Sequence, residues 1–125
     1  METSELLKAA RNGLLSLHKI LVDRERSIYE GINGPVTSGE FLNLLLEDRD
    51  FAWLRKISTL IVEIDEMFAQ KDGFDRGQLD THLAKVKQLI SPESVDEDFA
   101  SRYQTSLQQS LDAAAKHGEL KKLLG

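Results

Sequence analysis

Phe51 to Phe68, FAWLRKISTLIVEIDEMF, decides the fold class. Trp53, Ile57, Leu60, Ile64 and Met67 recur at helical steps, with Leu54, Ile61 and Phe68 beside them. An α-helix gathers these side chains into one stripe and leaves Arg55, Lys56, Glu63 and Glu66 largely on the other side. Such a helix is not stable alone in water and must bury its stripe against other helices.

The rest of the chain supplies them. Upstream, Gly31-Ile-Asn-Gly-Pro35 combines glycines, an Asn-Gly pair and a proline, which ends one helix and delays the next. Downstream, Lys71 to Asp75 with Arg76-Gly77 makes a second break, and Ser91-Pro-Glu-Ser94 a third. Before the first break, Leu7, Leu14, Leu21 and Ile28 repeat as a heptad, with Ala10 and Leu17 between them and Ser4 as the expected N-cap. Ser38 and Glu40 open a short helix near 38–46, and the charged Glu47-Asp-Arg-Asp50 interrupts it before Phe51. Leu79, Leu83, Val86 and Ile90 form the third main stripe. Phe99, Tyr103, Leu107, Leu111 and Ala114 form the fourth, continuing toward Leu120 and Leu124. No run alternates as a strand would, and there is no internal repeat. The expected fold is all-α: one domain over 1–125, an up-down four-helix bundle with an additional short helix.

Composition narrows the classes of function. Hydrophobic residues make 41% and charged residues 30% of 125, which suits a globular domain with a real core. The absence of cysteine excludes disulfides, zinc-thiolate sites, iron–sulfur clusters and thiol nucleophiles. The opening METSELLKAARNG is acidic early and lacks an apolar core, so it does not read as a secretory signal, and the uncharged runs are too short for a membrane span. The expectation is a cytoplasmic protein away from membranes. Net charge is −5, and no segment carries a dense Lys/Arg stripe, which argues against nucleic acid as a partner.

Two surfaces are more apolar than one packing face requires. Leu14, Leu15, Leu17, Ile20, Leu21 and Val22 span roughly 220° of the first helix, and Phe41, Leu42, Leu44, Leu45 and Leu46 about 200° of the short one, at about 100° per residue. Either the first helix is central and the short one caps the core, or both build a homodimer interface. The second reading makes Leu15, Val22, Phe41 and Leu44 the interaction residues.

Chemical motifs are absent where bundles usually carry them. A di-metal bundle needs Glu-x-x-His on facing helices, but the residues three before His18, His82 and His117 are Leu15, Leu79 and Ala114. No histidine pair has the spacing of a helical zinc hydrolase. His18-Lys19 is followed by Ile20-Leu21 rather than glycine, a poor match to a phosphotransfer histidine. His18 reads as a core-edge histidine with a satisfied hydrogen bond and His117 as a helix-end cation. No serine sits in a nucleophile turn, and neither glycine cluster makes a phosphate loop. A metal site remains only as a constellation across helices, with His18, Glu25 and Asp65 as weak candidates.

Polar residues on or near the stripes are the remaining signal. Arg24 occupies the heptad slot after Leu17, Asp65 lies beside Ile61 and Phe68, and Arg102 and Tyr103 flank the last stripe. Inter-helix bridges that fix register are the simpler reading. A cluster of them lining a pocket would reverse that preference in favour of a ligand site. Gly13 inside the first helix costs about 1 kcal/mol relative to alanine and marks a close helix contact.

Phe51-Ala-Trp-Leu-Arg55 and Leu60-Ile-Val-Glu-Ile-Asp-Glu66, with Leu17-His-Lys19, Asp23-Arg-Glu-Arg26 and Phe99…Arg102-Tyr103, resemble a family of small uncharacterised bacterial proteins of about this length. The resemblance covers most of the chain and implies a bacterial, cytoplasmic, all-helical protein, with no activity to carry over. The functional expectation is a non-enzymatic interaction or regulatory module, self-associating or bound to another protein, with no cofactor. The alternative is a small-ligand or metal-binding bundle with its site between the first two main helices.

Overall fold

The computed structural model describes residues 1–93 and 96–125. Six α-helices run through the described residues: α1 Thr3–Asn33, α2 Ser38–Glu47, α3 Ala52–Phe68, α4 Arg76–Ile90, α5 Glu97–Gln109 and α6 Leu111–Leu124. A 3₁₀ turn at Arg49–Phe51 leads into α3, and no strand occurs among the described residues. No described helix is long and apolar enough to cross a membrane.

α1 is the organising element. Leu7, Ala10, Leu14, Leu17 and Leu21 are fully buried on it, each leucine worth about 1.5–3 kcal/mol on leaving water. It packs most extensively on α6, then on α3 and α4. This central position accounts for the wide apolar arc of its middle turns, so the arc itself no longer calls for a second copy of the chain. Arg11 pairs with Asp65 near the end of α3, while Arg24 and Glu25 share a hollow with Trp53 near its start. α1 and α3 are therefore antiparallel. The stripe of α3 is buried at Trp53, Leu54, Ile57, Leu60, Ile61, Ile64 and Met67, as its spacing predicts, and so is that of α4 at Leu79, Leu83, Val86 and Ile90.

Helix ends follow local chemistry. α1 continues through Gly31 and stops at Asn33, two residues later than the glycine suggests, because Gly34 takes the positive φ of 89° and its N–H closes on Glu30. Ser4 is not the N-cap: the helix begins at Thr3, with Glu2 before it and no side-chain cap. α2 is capped by Thr37, which exchanges hydrogen bonds with Glu40 in a capping box. α4 is opened in the same way by Asp75 and Gln78. Ser91 to Glu93 form the expected third break, of which Ser94 lies outside the described residues.

The main departure is the last expected helix, which is two. Ser110 leaves helical geometry and its hydroxyl accepts from the Ala113 N–H, ending α5 and starting α6. Leu111, placed on the buried stripe by spacing, is 90% exposed, and Ala113 is buried in place of Ala114, while Leu120 and Leu124 are buried as expected. Across this break the Tyr103 hydroxyl meets His117 Nδ1 at 2.7 Å. Burial raises the phenol's pKa and lowers that of the imidazole, which Lys121 lowers further. The bond therefore joins a protonated phenol to a neutral ring, and His117 is an inter-helix strut rather than a helix-end cation.

Candidate polar hollow between helices 1, 3 and 5

Arg24 is polar in an otherwise apolar heptad because α5 crosses α1 there. Its Nη1 donates to Glu25 Oε1 at 3.1 Å and to Ser106 Oγ at 3.3 Å, and its Nη2 donates to Gln109 Oε1. Ser106, itself buried, donates a hydrogen bond from its hydroxyl to the Arg102 carbonyl at 2.9 Å. Arg102 donates from Nε to Asp98 at 3.1 Å and from Nη1 to the Asp50 carbonyl at 3.2 Å. These groups tie α1 to α5 and α5 to the 3₁₀ turn.

Arg24, Glu25, Arg102 and Ser106 also line a hollow of about 250 Å³, together with Ile28, Trp53, Ser101 and Thr105. Trp53 and Ser106 are its buried residues, 3% and 1% exposed, and form the floor. Ser106 is satisfied on both sides. The indole Nε1 of Trp53 is the one buried side-chain polar atom without a hydrogen-bond partner among the described residues. Leaving such a donor unpaired costs about 1–3 kcal/mol, more than a typical hydrogen bond contributes. Glu25 is half-buried, and burial raises its carboxyl pKa against the opposing pull of Arg24 and Arg102. The hollow thus combines two guanidinium groups and a carboxylate that burial disfavours as an ion.

The weak metal candidates are not assembled. Asp65 accepts from Arg11 Nε and Nη2 at 2.9 Å each, which raises the arginine's pKa. Arg11 and Glu25 are separated on α1 by about 21 Å at 1.5 Å per residue, so Asp65 and Glu25 cannot share an ion. His18 lies midway and half-buried; burial lowers its pKa, and its ring has no hydrogen-bond partner among the described residues. No cluster of three or more His, Asp or Glu suited to a metal occurs among the described residues.

The expected interaction residues also separate. Phe41 is 3% exposed, and its ring packs 5.4 Å from Phe51 and 6.4 Å from Tyr29. It anchors α2 to the chain's own core and offers nothing to a partner. Val22 and Leu44 are half-buried against that core, and Leu15 remains exposed.

A larger open groove of about 520 Å³ lies between α3 and α4, where Lys56 pairs with Asp96 at 3.3 Å and Lys85 with Glu63 at 3.2 Å. It contains no orphan buried group among the described residues. Arg24 and Arg102 were visible in the sequence as misplaced polar residues. Trp53 was not, because its spacing places it on the core stripe. No protein-family model, curated protein or solved structure matches this chain.

Proposed function

We propose that this chain is a non-enzymatic helical binding protein whose hollow at Trp53 receives a small polar ligand. The reading takes α1, α3, α4 and the divided fourth helix, α5 with α6, as an up-down core to which α2 is added, and retains the bacterial family as its relative. The polar lining of an open hollow carries it, since Arg24, Glu25, Arg102 and Ser106 gather there over the buried Trp53. Arg24, Glu25 and Arg102 beside it supply the charged contacts that fix orientation in ligand pockets. Thermal unfolding against a panel of small metabolites tests it, since a ligand at a hundred times its Kd adds about 2.7 kcal/mol of stability. At least one compound should raise the midpoint of the natural protein by several degrees and leave Trp53→Phe unmoved. A panel that shifts neither protein, or both equally, sinks the proposal.

A second reading, self-association, rests on α2. Leu42 and Leu46 lie one turn apart and are 54% and 56% exposed. Asn43 between them is uncharged, which suits an isologous contact, where a patch meets its own copy and like charges would repel. Light scattering should give a dimer mass that Leu42→Glu with Leu46→Glu converts to a monomer. A natural protein already monomeric at high concentration removes this reading.

A further inference from the structure

Between α5 and α6 the backbone leaves helical geometry at a single residue, Ser110, with φ −129° and ψ 114°. The bend is sharp. Tyr103 and His117, fourteen residues apart, meet at 2.7 Å, whereas one straight helix would hold them about 21 Å apart along its axis.

The buried face nevertheless keeps its phase through the bend. Between Phe99 and Leu124, residues Tyr103, Ser106, Ser110, Ala113, His117 and Leu120 follow at alternating steps of four and three, and all are buried or half-buried. That spacing is the pattern of one continuous helix. Neither proline nor glycine occurs between Glu97 and His117 to forbid it. The bend also has local costs that a straight helix would remove. The N–H groups of Leu111 and Asp112 open α6 without intrahelical partners, and the carbonyls of Leu107 and Gln108 would supply them. Leu111 is 90% exposed, the most exposed large apolar side chain among the described residues.

Straightening within one chain would strip α6 from α1, on which it packs most extensively, and bare Leu120 and Leu124. A second copy offers the same surface of α1, with Gly13 to receive Leu120. We propose that α5 and α6 straighten into one helix at Ser110 and that two copies exchange α6, each laying it on the other's α1. The contacts of α6 then re-form between copies, the Tyr103–His117 hydrogen bond among them, while the Arg24–Ser106 tie between α1 and α5 stays within each chain. Exchange of an identical element is a low-cost route to a dimer for this reason, and a short hinge favours it. It needs neither a ligand in the polar hollow nor the exposed face of α2.

The natural protein, Ser110→Ala and Ser110→Gly are unfolded in urea, refolded at millimolar concentration, and separated by size-exclusion chromatography with light scattering. A dimer that persists on dilution is expected, because its return to monomer requires α6 to leave α1. Alanine favours the straight hinge and removes the Ser110 cap, whereas glycine disfavours the straight hinge. The dimer-to-monomer ratio should be at least about tenfold higher with alanine than with glycine, since each of two hinges contributes about fivefold. Gly13→Cys with Leu120→Cys shows which chain's α1 holds α6. The chain has no cysteine of its own, and a Cβ at position 13 would lie 3.0 Å from Leu120 Cγ, which brings the two Cβ atoms within disulfide reach. Oxidation should join two chains in the dimer fraction and close within one chain in the monomer fraction. Equal ratios in the two hinge variants, no dimer from Ser110→Ala, or a dimer whose disulfides close within each chain overturns the exchange. Should the cysteine pair not fold, Leu42→Glu with Leu46→Glu takes its place: a dimer that survives supports exchange of α6, and one that is lost overturns it.

Discussion

At the scale of single residues, Gly13 shows how a local cost is repaid by packing. A Cβ built there would lie 2.6 Å from Leu120 Cδ2 and 3.0 Å from its Cγ. Leu120 is itself buried in the α1–α6 contact, so it has little freedom to withdraw. Gly13→Ala should therefore lower stability by about 1–2 kcal/mol through overpacking, despite alanine's better helix propensity. In a Leu120→Ala background the clash is gone, and the same substitution should stabilise by up to about 1 kcal/mol. Urea unfolding of the four proteins checks the reversal of sign. The histidines give a second residue-scale prediction. Burial lowers the pKa of His18 and of His117, the latter helped by Lys121. Their contribution to stability is fully present above about pH 6.5 and is lost as pH falls through the lowered folded values. The unfolding midpoint should drop as pH falls below about 6.5, and the drop should shrink in His18→Gln with His117→Gln.

At the scale of elements, legibility in the sequence followed the strength of the periodic signal. α3 and α4 could be read from their stripes, and the interruption at 47–50 from its charges, because side-chain spacing alone settles which face is buried. The last segment misled for a physical reason. Phe99, Tyr103 and Leu107 keep a regular helical rhythm into Leu111, and a lone serine is a weak stop signal in sequence. Only the capping bond from Ala113 N–H to Ser110 Oγ, 3.1 Å long, reveals the break. Ser110→Ala should cost about 1 kcal/mol of stability by removing that cap, which chemical denaturation would measure. The hollow was half legible. Arg24 and Arg102 stood out as polar residues against apolar rhythm, but their meeting across α1 and α5 depends on where the chain turns at Ser110 and at the 3₁₀ corner. The metal constellation failed because a helix sets its own ruler: Asp65 is held at Arg11, fourteen positions along α1 from Glu25.

At the scale of the whole molecule, one long helix carries the core, and the others are arranged around it. That arrangement leaves a polar hollow near the junction of α1, α3 and α5, in a chain whose ionic contacts are otherwise largely at the surface. Exposed pairs of that kind contribute little individually, so the half-buried group at Arg24, Glu25 and Ser106 is the electrostatic feature that calls for explanation. The central claim is that this place is kept polar for a ligand and not only for register. Native mass spectrometry of the untagged protein, purified gently from its own host beside Trp53→Phe, tests it most directly. The account predicts a discrete added mass of small-metabolite size on the natural chain, diminished or lost in the variant. Bare polypeptide from both proteins, under conditions that preserve a known weak complex, would contradict it.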